Sequence, residues 1–175
     1  SFTVRNNVNE VHLAKLFWVQ GFQGVYFQNF TVQNMNVQFY FNSSAFHFQN
    51  VQQVTVQDVN FINNSLALQT ASAFLSFEQV HFVEINGLKM ISNDIGINVP
   101  TQVQFLAKFL QVPGLDFFNH VIANNTFAEQ HVAIFSFIPD PDPSFRGELD
   151  MTIRNITFTN NSYKSSRTPA ITYFE

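Results

Sequence analysis

The sequence predicts an all-β fold, a parallel β-helix (solenoid) of about six coils with three short strands each. A string of the form apolar-x-apolar-x-Asn-apolar-x-Phe-x-Asn-Asn-Ser occupies residues 151–162. It returns with small changes at residues 54–65 and 115–126. Three looser copies begin at Phe2, Phe30 and Val80. A unit that returns every 24 to 36 residues is typical of a repeat protein.

Each copy contains two short strands separated by a two-residue corner. Apolar and polar residues alternate with period 2 on both sides of the corner, which indicates strands and excludes a helix. Asn and Asp tolerate the left-handed backbone that a sharp corner needs. The second corner residues are predicted to be Asn6, Asn34, Asp58, Glu84, Asn119 and Asn155. Glu84 departs from the Asn/Asp pattern, so we expect a weaker corner in its copy.

A third strand precedes most of the corners, and it ends in an aromatic residue. Parallel coils place equivalent residues in columns about 4.8 Å apart. The equivalent aromatic residues are Phe27, Phe48, Phe77, Phe109 and Phe137. We therefore predict an internal phenylalanine stack, which accounts for many of the 23 Phe residues.

These repeats resemble those of right-handed parallel β-helix proteins of the pectin-lyase-like superfamily. The resemblance implies that the corner residues Asn6, Asn34, Asp58, Asn119 and Asn155 form an asparagine ladder. The strings that begin at Phe61 and Phe158 are also similar to the Phe-x-x-Asn repeats of surface β-helices, without the Gly-rich half of that repeat. Right-handedness follows from the resemblance and from the handedness of parallel crossover connections.

Three segments fall outside the repeat pattern. Residues 8–20 have apolar residues at helical spacing, which leaves open a short helix or irregular coil. Residues 95–104 and 138–148 lengthen two repeats, and the second contains Pro139, Pro141 and Pro143, which predict a protruding, stiff Pro/Asp loop. The chain ends in the middle of a strand pattern, so we expect residues 1–175 to be one β-helix segment of a longer chain.

Composition restricts the partners of the protein. Charged residues make up 11% of the chain and the net charge is -4, which gives no electrostatic reason to expect a nucleic acid partner. The chain has no cysteine, and no apolar run approaches the roughly 20 residues of a membrane-spanning helix. No phosphate-binding loop or metal-ligand motif occurs, so no cofactor is expected apart from covalent N-linked glycans.

Asn-x-Ser/Thr sequons are frequent. They begin at Asn29, Asn42, Asn63, Asn124, Asn155 and Asn160. Three of them, at Asn63, Asn124 and Asn160, occupy the same place in the repeat and predict a row of glycans along one edge. Of the six, Asn155 is expected to be the least readily modified, because a ladder position needs a buried amide. The alternative is that Asn-Asn-Ser/Thr is only favourable turn chemistry.

The residues with catalytic potential are few. The predicted repeat alignment makes His81 and Asp116 stacked neighbours, and such a pair is a weak candidate for a general base. It lacks a second acid, a calcium-binding carboxylate cluster and an Arg clamp. Asp140 and Asp142 are interpreted as exposed loop charges rather than a calcium site. His120 falls at an apolar position and is predicted to be a hydrogen-bonded interior histidine.

The first hypothesis is an extracellular or cell-surface structural protein, N-glycosylated, that forms part of a fibre, filament or surface coat. Its partners would be copies of itself, joined head-to-tail through open coil edges. The second hypothesis is an adhesin that contacts glycans or a cell surface through residues 95–104 and 138–148. The third is a polysaccharide lyase or hydrolase that uses His81 and Asp116.

Overall fold

The computed structural model of the chain describes residues 2–5, 11–68, 72–97, 104–127, 132–138, 150–163 and 172–174. These residues contain strands and no helix. The strands are β1 (Phe2–Arg5), β2 (Val11–Gln20), β3 (Gly24–Gln33), β4 (Asn36–Gln49), β5 (Gln53–Ile62), β6 (Ser65–Leu68), β7 (Ala73–Glu78), β8 (Phe82–Asn86), β9 (Lys89–Ile91), β10 (Asp94–Ile97), β11 (Gln104–Leu110), β12 (Gly114–Ala123), β13 (Thr126–Phe127), β14 (Val132–Ile138), β15 (Asp150–Thr159), β16 (Ser162–Tyr163) and β17 (Thr172–Phe174).

The strands form two parallel sheets. The first has the order β1-β3-β5-β8-β12-β15, with β9 beside β5 and β12. The second has the order β16-β13-β10-β6-β4-β7-β11-β14-β17, with β2 beside β4. The chain therefore forms a strand of the first sheet, then a strand of the second, and returns to the first sheet beside its previous strand. We call each such turn of the chain a level. This arrangement confirms the predicted parallel β-solenoid, and residues 24–127 form about three turns of it, which strands at both ends extend. The predicted right hand stays a prediction.

The observed register corrects the predicted repeat boundaries. One inward column contains Val25, Val54, Val83, Leu115 and Met151, which gives repeats of 29, 29, 32 and 36 residues. The starts predicted at Phe30 and Val80 are wrong: Phe30 pairs with Val59, which lies after the corner. The error has a simple origin, because the strand halves on both sides of a corner carry the same apolar-x-apolar pattern. The pattern alone does not distinguish the first half from the second.

The phenylalanine stack is present in the second sheet. The ring centroids of Phe48 and Phe77 lie 5.2 Å apart, and those of Phe77 and Phe109 are also 5.2 Å apart; in both pairs the rings are buried, stacked and nearly parallel. The backbone of Phe137 pairs with that of Phe109 in the same column. Phe27 was wrongly placed in this stack. It belongs to the first sheet, where it pairs with Val56 and its ring packs at a tilt against Phe46.

The helix or coil expected at residues 8–20 is wrong for residues 11–20, which form β2. This strand pairs with β4 from Val11 to Gln20, with a shift in register between Leu13 and Lys15. Its Phe17 ring stacks on that of Phe46 at 5.3 Å. The packing of Phe17 and Val19 against the core, together with the backbone pairing to β4, overrides the helical spacing of a few apolar residues. Of the predicted loop at 138–148, Ile138 ends β14 and residues 139–148 lie outside the described residues.

Candidate functional site

Each turn of the solenoid bends at residues with left-handed backbone. At the first corner, between the two halves of the first sheet, these residues are Asn29, Asp58, Gly87, Asn119 and Asn155, with φ from 53° to 76°. At the second corner, where the chain passes from the first sheet to the second, they are Asn34, Asn63, Ser92, Asn124 and Asn160, with φ from 51° to 57°. At the third corner, where the chain returns to the first sheet, they are Gly21, Asn50, Gln79 and Gln111. The bends therefore recur in columns, as the repeated Asn residues indicated.

Two predicted corner residues lie elsewhere. Glu84 is inside β8, and Gly87 bends that level instead. A Cβ atom on residue 87 would come within 2.8 Å of the Asp58 carboxylate, so glycine suits this position by its size as well as its backbone. Asn34 belongs to the second corner and not to the column of Asp58. Asn6 lies outside the described residues.

Asn119 tests the requirement for a left-handed corner. Its φ is 61°, and its amide donates to Asn86 Oδ1 at 3.0 Å and accepts from Asn155 Nδ2 at 3.2 Å. Replacing Asn119 with Val should destabilise the fold by about 1–3 kcal/mol, because a β-branched residue is strained at positive φ. Chemical denaturation would measure the loss. Asn119→Gly is the matched control, because it removes the same exposed amide without the strain. Equal stability of the Val and Gly variants would contradict the corner assignment.

A buried asparagine ladder runs one residue after the second corner. It consists of Asn64, Asn93, Asn125 and Asn161, of which the first three are 1–2% exposed. Each Oδ1 atom accepts from the backbone N–H of the equivalent residue one level earlier, as Asn93 does from Asn64 at 3.0 Å. Each Nδ2 atom donates to a carbonyl inside the solenoid, such as Phe61 O for Asn93 at 3.0 Å. The ladder thus provides acceptors for the backbone N–H groups that, because of the corner, have no partner in a sheet.

His120 likewise provides an acceptor for a buried backbone amide, at the first corner. Its Nδ1 atom accepts from Leu88 N, the amide that follows the corner glycine of the preceding level, at 3.1 Å. The side chain is fully buried, which confirms the predicted interior histidine, and its ring centroid lies 3.6 Å from that of Phe117. The Nε2 atom has no hydrogen-bond partner in the structure. Burial lowers the pKa of His120 from 6.5 to about 3. This histidine is therefore neutral in the folded protein near neutral pH.

The sequon asparagines lie mostly on exposed corners. Asn63, Asn124 and Asn160 are exposed and share the second-corner column. Ser92 stands between Asn63 and Asn124, whereas Asn124 and Asn160 are on adjacent levels. Asn29 and Asn155 are exposed on the first corner, so the buried amide predicted for Asn155 is wrong. Asn42 lies in β4, at a place where the side chain is not described. Modification of these residues stays a prediction.

The predicted His81–Asp116 pair does not form. Asp116 pairs with Glu84 on one side and Thr152 on the other. His81 lies before β8, exposed, and its backbone N–H donates to Val51 O at 3.1 Å. The register error at Val80 caused the wrong pairing. Glu84 and Asp116 are instead neighbours on adjacent parallel strands, an arrangement of like charges that is unfavourable for stability.

The described part of the chain contains no group of three or more His, Asp or Glu residues placed to hold a metal ion. Asp140 and Asp142 are outside it. Within the same residues, no helix is long and apolar enough to cross a membrane.

Comparison with protein-family models, curated proteins and solved structures finds no match. The class of the protein, a parallel β-solenoid, therefore rests on its own strand register. Membership of the pectin-lyase-like superfamily stays a prediction from resemblance.

Proposed function

We propose that this protein is an extracellular structural glycoprotein, a β-solenoid that forms part of a fibre, filament or surface coat. The observation that carries the proposal is the exposed second-corner column in which Asn63, Asn124 and Asn160 each begin a sequon. Glycans on this column would extend from one edge of the solenoid. They would also help to keep in solution a surface with few charged side chains, since charged residues are 11% of the chain.

The turn-chemistry alternative explains part of the Asn-Asn-Ser/Thr string. The fold uses the first Asn for the left-handed corner and the second for the buried ladder. The third position is less constrained, because Asn36 and Asp94 occupy the equivalent places in two levels. A hydroxyl residue nevertheless stands there in three of the four described levels that have Asn at the second corner, as Ser65, Thr126 and Ser162, whereas the level with Ser92 at that corner has Asp94. This association favours glycosylation over turn chemistry alone.

The proposal predicts three separable glycans. The chain would be secreted from a eukaryotic host, and its intact mass measured before and after enzymatic removal of N-glycans. We expect Ser65→Ala, Thr126→Ala and Ser162→Ala each to remove one glycan while leaving the corner and the ladder in place. Asp94→Ala is the matched control, since it changes the same position on a level without a sequon, and it should leave the glycan mass unchanged.

A variant with an added sequon would test more strictly whether the second-corner column is glycosylated. The double substitution Ser92→Asn and Asp94→Ser creates a sequon at the one level between Asn63 and Asn124 that lacks it, and it keeps Asn93 in the ladder. We expect one additional glycan on that variant. Secreted wild-type protein whose mass does not change on enzymatic treatment would overturn the proposal.

The described residues contain no arrangement that supports the enzyme hypothesis or the adhesin hypothesis. The enzyme hypothesis loses the His81–Asp116 pair on which it depended. Most of residues 95–104 and 138–148, which the adhesin hypothesis requires, lie outside the described part of the chain.

A further inference from the structure

The outward face of the first sheet carries an apolar column in the middle of the solenoid. The outward residues that immediately precede the second corner are paired through five successive levels: Gln33, Ile62, Ile91, Ala123 and Thr159. The three middle members are apolar, although their side chains are directed away from the core. The residues before them are the buried ones: Phe61, Met90 and Ile122. We call Ile62, Ile91 and Ala123 the outer apolar column.

The core does not require apolar residues in this column. The same column has Gln33 in one flanking level and Thr159 in the other, and the strands pair there in the same register. Ile62 and Ile91 are half-buried, so part of the surface of each side chain is in contact with water. Single exposed apolar residues are common on proteins, but adjacent ones form a surface that can bind a ligand.

The outer apolar column lies directly beside the sequon asparagine Asn63. Asn63 follows Ile62 in the chain, and its backbone N–H donates to Ile91 O at 3.0 Å. The Asn63 side chain is exposed on the corner. Neighbouring levels are about 4.8 Å apart, so both isoleucines are within reach of a sugar on Asn63. The level of Ile91 has Ser92 at its corner and no sequon, so that level has no glycan that competes for this surface.

We propose that the first sugar of the Asn63 glycan packs against Ile62 and Ile91 and thereby stabilises the solenoid. An N-linked glycan begins with an N-acetylhexosamine, which has ring C–H groups and an acetamide methyl group. Packing these groups against two isoleucine side chains removes apolar surface of both partners from water. Lys89 is exposed in the next outward column of the same strand, and its ammonium group offers donors to the hydroxyl and acetamide oxygens of the sugar.

The other two sequons of the second corner lack this surface. Asn124 follows Ala123, and its backbone N–H donates to Thr159 O at 3.0 Å. Asn160 follows Thr159 itself. A sugar on either asparagine therefore adjoins an alanine methyl group or a threonine hydroxyl and no pair of large apolar side chains. The glycan at Asn63 should contribute more to the stability of the folded protein than the glycan at Asn160.

This inference rests on the proposed glycosylation of Asn63 and gives that glycan a role within its own chain. It would be tested by a double-mutant cycle on protein secreted from a eukaryotic host, with thermal unfolding followed by circular dichroism. Ser65→Ala removes the sequon at Asn63, and Ile91→Thr makes the surface polar while keeping a β-branched residue. We expect Ile91→Thr to lower the melting temperature by about 2–4 °C more when the Asn63 glycan is present than when it is absent.

Two controls separate the glycan from other causes of coupling. Ser162→Ala removes the sequon at Asn160, two levels beyond Ile91, and its effect should be additive with that of Ile91→Thr. The effects of Ser65→Ala and Ile91→Thr should also be additive in unglycosylated protein purified from bacteria. Coupling that persists in the bacterial protein would overturn the inference, because it would arise between the two side chains and not through a sugar.

The remaining outcomes distinguish this inference from the proposed function. Additive effects in secreted protein whose mass includes the Asn63 glycan would overturn the inference and leave the proposed glycosylation intact. Secreted protein without a glycan on Asn63 would overturn the inference, and the absence of glycans on Asn124 and Asn160 as well would overturn the proposed function. If Ile91→Thr fails to fold, Ile91→Gln makes the same test with the residue type that Gln33 supplies in this column.

Discussion

Replacing Asn93 with Leu should destabilise the folded protein by about 3–5 kcal/mol, since it breaks the middle of a buried hydrogen-bond ladder. The Asn93 amide donates to Phe61 O at 3.0 Å and to Asn125 Oδ1 at 2.9 Å. Its oxygen accepts from Asn64 N at 3.0 Å and from Asn64 Nδ2 at 2.9 Å. Leucine has about the right volume but satisfies none of these groups. The buried backbone N–H of Asn64 would then have no acceptor, which alone costs about 1–3 kcal/mol.

Equilibrium denaturation in urea would measure this loss. Asp94→Ala is the matched control, because Asp94 is the next residue, is exposed, and its substitution should change stability by no more than about 0.5 kcal/mol. Asn93→Asp should destabilise as well, because a carboxylate keeps the acceptor for Asn64 but faces Asn125 Oδ1 without a proton to donate. A Leu variant as stable as the Ala control would show that the ladder contributes nothing to closing the second corner.

The sequence was sufficient to predict the kind of fold, since period-2 patterns and a recurring corner string leave few alternatives to parallel coils. It did not fix the register. The two strand halves of each copy look alike, so Phe30 and Val80 were assigned to the wrong levels. The predictions that depend on this alignment are wrong for the same reason: the corners at Glu84 and Asn34, the place of Phe27, and the His81–Asp116 pair. Columns become visible only when the backbone hydrogen bonds of neighbouring levels are known.

The buried ladder was missed for a different reason. Strict alternation after Phe61 would place Asn63 inside and Asn64 outside. The left-handed backbone of Asn63 interrupts the pleat, so Asn63 is exposed and Asn64 is directed inward. The same shift separates Val56 from Val59 across the first corner, where both are buried. The second Asn of the repeated Asn-Asn-Ser/Thr string is the signal available in the sequence, but neither the sequon interpretation nor the turn interpretation gives that residue a buried role.

Acid should destabilise the solenoid through His120. The pKa of this histidine is lowered by burial from 6.5 to about 3 in the folded protein, whereas the unfolded chain has the ordinary value. The stabilising contribution of the neutral ring is therefore complete above pH 6.5 and is lost progressively as the pH falls from 6.5 toward 3. Each pH unit in that window removes about 1.4 kcal/mol, so about 2 kcal/mol is lost by pH 5. A protonated Nδ1 atom could also no longer accept from Leu88 N.

Comparing the wild type with His120→Leu isolates this contribution, because the other titrating groups are common to both proteins. The Leu variant should be less stable at pH 7 by about 1–3 kcal/mol, since Leu88 N loses its acceptor. It should also lose less stability on acidification, so that the difference in unfolding free energy shifts by about 2 kcal/mol in favour of the Leu variant between pH 7 and pH 5. If the unfolding free energies of the wild type and His120→Leu changed in parallel with pH, protonation of His120 would not destabilise the folded protein, and this prediction would be wrong.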